Sequence, residues 1–205
     1  MSRVNYSPGN RLKVPAELGP HFCYRTAAPR FKPTDVETVV AAVCSYGDRA
    51  VGPNEEVIDP DRAFKRKPRA QQALERLVDA VRSFTKLSGE VLLVTCEGTE
   101  PQVNDYYAGQ CWYSVVLHTG PQGYILYTMH TQPLPKGLTK VIKTRRMMSV
   151  GEAFVWDPTT PYMLESFRPR SGQRLVLLQM LVDDQTLAKR RALMKRLPPS
   201  VPGQA

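Results

Sequence analysis

Apolar residues recur every three or four positions in two segments of the first half of the chain. The first segment opens with Pro33-Thr34-Asp35-Val36-Glu37, where Thr34 can cap a helix and Glu37 completes a capping box. We expect this helix to stop near Gly47, and we expect Gly89 to end the second one. The second segment has the clearest helical period in the chain, carried by Ala70, Ala73, Leu74, Leu77, Val78, Val81, Phe84 and Leu87.

From Glu90 onward the period changes to short apolar runs separated by proline and glycine, which is typical of strands joined by turns. The segment from Val150 to Leu178 shows this best, with a short apolar strand, a turn around Pro158 and a second apolar run. Two helices followed by six or more short strands predict an α+β fold with a jelly-roll or barrel core. The predicted strands are 90–96, 111–118, 123–130, 139–145, 153–156 and 173–182.

The chain divides into three parts by composition. Residues 1–33 are punctuated by proline and are predicted to form an N-terminal arm. Residues 34–197 form a single domain, which ends in a basic helix that Asp183 or Asp184 can cap. Residues 198–205 are predicted to be a flexible tail.

Basic residues exceed acidic ones by 28 − 19, a net charge of +9, which favours anionic partners such as nucleic acid, phosphorylated metabolites or an acidic surface. A run on one predicted strand is the candidate nucleic-acid contact, and it comprises Lys140, Lys143, Arg145 and Arg146. Phosphate contacts by these residues would make binding strongly dependent on salt. A basic protein with no nucleic-acid role is the alternative.

The four cysteines show no CxxC spacing, so free thiols in a reducing cytoplasm are the simplest interpretation. No apolar run approaches the roughly 18 residues of a membrane span, and no secretory signal opens the chain. We therefore expect a cytoplasmic protein without membrane contact. The sequence also lacks a GxSxG elbow, a GxxxxGK[ST] loop and a GxGxxG fingerprint, so the commonest hydrolase, P-loop and dinucleotide sites are not predicted.

Three short motifs lie in the strand-rich half. Asn104, Tyr106 and Gly109 fit an Asn-x-Tyr-x-x-Gly pattern, Gly151-Glu152 opens a short apolar strand, and Arg174 precedes the last one. Together these motifs resemble the iron and 2-oxoglutarate-dependent oxygenases, especially the branch that includes the AlkB-like nucleic-acid demethylases. The resemblance covers roughly residues 90–182. It implies a double-stranded β-helix (jelly-roll) core with N-terminal packing helices and a C-terminal helix.

The resemblance also implies roles for single residues. His118 would be a ligand of iron(II), and the 2-oxoglutarate co-substrate would be held by Asn104, Tyr106 and Arg174. Aromatic residues in or near the strands, Trp112 and Tyr162 among them, would line the substrate pocket.

The ligand set departs from the family pattern. A facial iron site needs two histidines and a carboxylate, but the chain has only His21, His118 and His130. Gly120 stands where the carboxylate is expected, as in halogenating members or a decayed site. Tyr162 occupies the place of the distal histidine, and a phenol with a pKa near 10 is a poor ligand for this iron chemistry.

Two hypotheses follow. The first is an oxygenase-like jelly roll with a pocket for a small anionic ligand or nucleotide, either a 2-oxoglutarate-dependent hydroxylase or its metal-free relative. Iron(II) and 2-oxoglutarate are cofactors only if the protein is the hydroxylase. The sequence therefore does not decide whether the protein is an enzyme. The second is a basic nucleic-acid- or protein-binding or assembly module without catalysis.

Overall fold

The computed structural model describes residues 23–46, 56–99, 110–121, 123–133, 139–157, 159–166 and 174–183. The helices in this part of the chain are α1 (Pro33–Tyr46), α2 (Pro60–Ala63) and α3 (Pro68–Thr85). The strands are β1 (Cys23–Thr26), β2 (Glu56–Val57), β3 (Val91–Cys96), β4 (Gln110–His118), β5 (Tyr124–Pro133), β6 (Thr139–Met148), β7 (Ala153–Trp156), β8 (Tyr162–Ser166) and β9 (Leu175–Asp183).

The strands form two sheets, and every neighbouring pair is antiparallel. The six-stranded sheet has the order β1-β7-β4-β9-β3-β2, and the three-stranded sheet has the order β6-β5-β8. The described chain is thus mostly antiparallel sheet with few helices, as the α+β prediction requires. The predicted C-terminal helix lies outside the described residues.

The six-stranded sheet is buried on both faces. Along β4, Tyr113 and Val115 belong to the core beneath the helices, while Trp112 and Val116 belong to a second core shared with the three-stranded sheet. Successive side chains of a strand point to opposite faces, so β4 packs on helices with one face and on the second sheet with the other. This double burial explains why its sequence is a continuous apolar run rather than an alternating one.

The start of α1 and the end of α3 differ from the predicted positions, whereas α1 ends at Tyr46, close to the predicted Gly47. α1 begins at Pro33, so Thr34 lies inside the helix, where its carbonyl accepts a hydrogen bond from Thr38 Oγ1 at 2.6 Å, and the predicted capping box is wrong. Proline suits the first helical position because that position needs no N–H partner. α3 ends at Thr85 rather than near Gly89: the next residue, Lys86, adopts a left-handed conformation with φ of 58°, and its N–H donates to the carbonyl of Arg82.

The six predicted strands are confirmed within a few residues, but the structure contains three short strands that were not predicted. β8 follows the turn around Pro158, and β1 lies within the predicted arm. β2 and the short helix α2 lie between the two predicted helices. These strands have two to five residues, which is too short for an alternating pattern to be told from a loop.

An ion pair joins α1 to α3. Arg76 donates from Nη2 to Asp35 Oδ1 at 2.6 Å and from Nε to Oδ2 at 3.0 Å, the paired geometry that gives the strongest carboxylate contacts. The hydrogen bonds from Arg76 hold the pKa of Asp35 below its usual value of 3.8.

We predict that Asp35→Asn lowers the free energy of unfolding at about pH 6 and that the difference from wild type narrows towards about pH 2.5. Because the folded-state pKa of Asp35 is lowered, its contribution is present above the unfolded-state pKa and is lost as the pH falls through the folded-state pKa. Urea unfolding at both pH values measures this. Asp79→Asn, on the exposed side of α3, is the control, and its difference in free energy of unfolding from wild type should be the same at both pH values. If this difference changes with pH equally in the two variants, the prediction is refuted.

Candidate functional site

The six-stranded sheet has two ends along its strands, and the residues predicted to bind ligands divide between them. We call one the aromatic end, which holds Trp112 near the start of β4 and Tyr162 at the start of β8. The other, the arginine end, holds His118 at the end of β4 and Arg174 directly before β9. Trp112 and His118 are six residues apart on β4, a distance of about 20 Å at roughly 3.3 Å per residue.

Three buried rings form the aromatic end. The ring of Trp112 lies edge-on to the rings of Trp156 and Tyr162, with centroid distances of 5.7 Å and 5.9 Å. Trp112 and Trp156 face each other across the β4–β7 pairing. The structure thus brings Trp112 and Tyr162 together, while their role in binding a substrate stays a prediction.

A polar patch lies beside these rings, and sequence reasoning missed it. Ser114 on β4 pairs in register with Gln179 on β9, and both are buried between apolar neighbours on the face that meets the second sheet. Ser114 Oγ, Gln179 Nε2 and Trp156 Nε1 have no hydrogen-bond partner in the described chain. The available signal was one polar residue in the middle of each of two otherwise apolar strands.

Arg174 dominates the arginine end. Its side chain is only 7% exposed, and its Nε lies 3.9 Å from Oε1 of Glu97, whose own side chain is 35% exposed. This distance exceeds that of a hydrogen bond, and the guanidinium makes none to any other described residue. A buried guanidinium normally has a closely paired anion, so this end of the sheet is suited to binding one.

His118 reaches the same end. It pairs in register with Val176, two residues after Arg174, and a register shift in β4 separates it from Val116. The imidazole is half-buried, and this burial lowers its pKa below 6.5 because the charged form loses solvation. At neutral pH the side chain is therefore the uncharged imidazole.

The donor set of a facial iron site is not complete around His118 in the described residues. No group of three histidine, cysteine, aspartate or glutamate side chains occurs in the part of the chain that the structure describes. Thr119 and Gly120 follow His118, and Tyr162 lies beside Trp112 at the opposite end of β4. These residues do not fit iron(II), and the side chain of His130 is outside the described set.

Two carboxylates that follow β6 and β7 are used within the fold. Glu152 accepts hydrogen bonds from Arg25 Nη1 at 2.5 Å and from the backbone N–H of Ser149 at 3.2 Å. Asp157 accepts from the N–H and hydroxyl of Thr159 at 2.8 Å and 2.6 Å. Both carboxylates therefore hold turns and strands in place.

The remaining predicted site residues are those for 2-oxoglutarate near residue 105 and those for nucleic acid on β6. Asn104 and Tyr106 lie outside the described residues. Lys140 and Lys143 lie on β6, in register with Gln132 and Met129, while Arg145 and Arg146 on the same strand are exposed. Nothing beyond this exposure favours nucleic acid as a partner, so that role stays a prediction. No helix in the described chain is long and apolar enough to span a membrane.

Comparison with known proteins gives fold-level similarities only. No protein-family model matches the chain, and no curated protein matches its sequence. Among solved structures, the non-heme alpha ketoglutarate dependent epimerase SnoN from nogalamycin biosynthesis is 12% identical, with 83% of this chain and 82% of that chain covered and a TM-score of 0.47. EvdO2 from Micromonospora carbonacea var. aurantiaca is 11% identical, with 89% and 94% covered and the same TM-score.

A prolyl-4-hydroxylase from Pseudomonas putida is 16% identical, with 83% of this chain and 96% of that chain covered and a TM-score of 0.39. One of the SnoN structures is a complex with Fe3+ and alpha ketoglutarate. None of these neighbours is named as a nucleic-acid demethylase, so the AlkB-like branch stays a prediction. Similarities this low do not transfer a function to the chain.

We predict that the protein loses stability between about pH 7.5 and about pH 5.5 and that His118→Gln reduces this loss. The lowered pKa means that the unfolded chain binds the proton more readily, so the free energy of unfolding falls as the pH drops through 6.5. Urea unfolding of both proteins across this range measures the effect, with about pH 8 as the baseline. If the free energy of unfolding of the variant falls with pH as steeply as that of wild type, the prediction is wrong.

Proposed function

We propose that the protein is an oxygenase-like jelly roll that binds a small carboxylate at Arg174, and that this binding does not depend on iron. The observation that carries the proposal is the buried guanidinium of Arg174, which has one partly exposed carboxylate at 3.9 Å and no hydrogen bond to a described residue.

The strand order supports a double-stranded β-helix as the scaffold. From β3 onward, β3, β4, β7 and β9 lie in the six-stranded sheet and β5, β6 and β8 in the other. The chain also crosses between sheets directly after β3: Thr99 N–H donates to Leu164 O and Leu164 N–H to Thr99 Oγ1, both at 2.8 Å. Gly98, with φ of 151°, allows this crossing. Repeated exchange between two packed antiparallel sheets is the connectivity of a jelly roll.

The chemistry of Arg174 favours a carboxylate. A guanidinium presents a planar fork of N–H donors that matches the two oxygens of a carboxylate or phosphate. The neutral His118 imidazole, at the same end, adds a donor or acceptor without a competing positive charge. The resemblance to the oxygenase family points to 2-oxoglutarate among the small carboxylates, since Arg174 stands where that family has its co-substrate arginine.

Binding without iron is the form that the donor set favours. No three histidine, cysteine, aspartate or glutamate side chains group together among the described residues, so in this proposal a ligand at Arg174 is held by the side chains of the chain alone. We therefore propose a ligand-binding protein with the oxygenase scaffold rather than a working hydroxylase.

We predict that Arg174→Gln weakens 2-oxoglutarate binding by about tenfold or more, because charge-assisted hydrogen bonds are lost. Glu97→Gln should tighten binding severalfold, because it removes the carboxylate that competes for Arg174. Isothermal titration calorimetry measures both effects. Arg69→Gln, an exposed arginine at the start of α3, is the control for general charge. Equal weakening in the Arg69 and Arg174 variants would show that net charge, rather than this site, attracts the anion.

We also predict that the affinity for 2-oxoglutarate is the same with added iron(II) and with a chelator present. The reason is that all contacts in the proposal come from side chains of the chain. Calorimetric titrations of the same preparation under anaerobic conditions compare the two states. Binding that appears only with iron(II) would overturn the metal-independent proposal and favour an oxygenase site completed by residues outside the described set.

A further inference from the structure

The aromatic end carries three buried polar atoms that the proposed anion site does not use. Ser114 and Trp156 are 0% exposed and Gln179 is 3% exposed. Their atoms Ser114 Oγ, Trp156 Nε1 and Gln179 Nε2 have no hydrogen-bond partner in the described chain. Buried polar groups in native proteins are almost always hydrogen-bonded, so three exceptions in one place require a reason.

The three atoms belong to one patch. They come from β7, β4 and β9, which are consecutive in the six-stranded sheet. Ser114 lies directly opposite Gln179 on one side and Phe154 on the other, and Trp156 is two residues beyond Phe154 on the same face. Ser114 is a cross-strand neighbour of Gln179 and a diagonal neighbour of Trp156, each within about 8 Å, so a small molecule at Ser114 lies next to both.

The chemistry of the patch defines what it would bind. An indole N–H is a donor only, a glutamine amide offers N–H donors, and a serine hydroxyl donates or accepts. The residues next to the three atoms are apolar or aromatic, with Trp112 and Tyr162 beside Trp156. The charged side chain of Arg25, opposite Phe154 in the same row, is paired with Glu152, so the patch provides no unbalanced charge for an ion. Flat, apolar ring surfaces next to hydrogen-bond donors suit an uncharged planar ring that carries an acceptor.

We propose that Ser114, Trp156 and Gln179 bind an uncharged, planar heteroaromatic ring with a carbonyl or ring-nitrogen acceptor, packed against Trp112 and Tyr162. This site is separate from the anion site: Gln179 and Arg174 are five residues apart along the chain, about 17 Å at roughly 3.3 Å per residue. A ligand with both a ring and a carboxylate could span the two sites only if it is long.

The test uses 2-pyridone as the probe, with toluene as a planar ring that lacks the acceptor. Trp112 and Trp156 are the only two tryptophans of the chain, so the indole N–H region of a 1H–15N spectrum contains two signals. We expect 2-pyridone to shift the Trp156 signal downfield in a saturable way and toluene not to do so. Trp156→Phe assigns the signal.

Gln179→Met and Ser114→Ala test the polar contacts. Each variant should weaken 2-pyridone binding at least tenfold while leaving the melting temperature unchanged or higher, because the replaced atoms have no partner in the fold. Ser114→Ala removes one small oxygen and serves if the larger change prevents folding. Arg174→Gln is the matched control and should leave the 2-pyridone shift intact.

Two results would overturn the proposal. If saturating 2-pyridone leaves both indole signals of the folded protein in place, the patch does not bind this class of ligand. If either variant lowers the melting temperature and wild type binds no probe, the three atoms serve the fold through buried water. Failure of the anion site would instead show as lost 2-oxoglutarate binding with an unchanged 2-pyridone shift, so the two proposals fail separately.

Discussion

The burial of the six-stranded sheet on both faces is the constraint on which the rest of the structure depends. Helices cover one face and the second sheet covers the other, so β4 and β9, at the centre of the sheet, have almost no contact with solvent. A polar side chain on these strands loses its hydration and has to find a partner inside the protein. Ser114 and Gln179 are therefore conspicuous, whereas the same residues on an exposed strand would carry no information.

The elements with strong periodicity could be predicted from the sequence. α3 repeats its apolar residues over five turns, and β4 and β9 are long apolar runs. Patterns of this length determine the secondary structure even where single residues have a low propensity for it. The short strands could not be predicted, because β8 and β1 are specified by the neighbours they pair with rather than by their own residues. The end of α3 was misplaced because Lys86 adopts the left-handed conformation that glycine usually provides.

The candidate site was predicted in part. The sequence indicated Arg174 and the aromatic residues Trp112 and Tyr162, but it contains no information on how strands in different sheets are oriented to each other. Only the three-dimensional structure shows that Tyr162 lies beside Trp112, while Arg174, twelve residues later in the chain, lies near His118 at the other end of β4. The single polar residues within β4 and β9 acquire meaning only after the register places Ser114 opposite Gln179.

The outer strands of the three-stranded sheet are β6 and β8 within the described chain. Both have features that hinder pairing with another copy of the protein. Unpaired strand edges recruit copies of the same protein, and natural sheets block them with a covering segment or with charge. Thr99 covers the edge of β8 at Leu164, and β6 presents the exposed, adjacent Arg145 and Arg146. Repulsion between two such edges would oppose the growth of a continuous sheet from molecule to molecule. Part of the positive charge of this protein would thereby keep the β6 edges of two molecules apart.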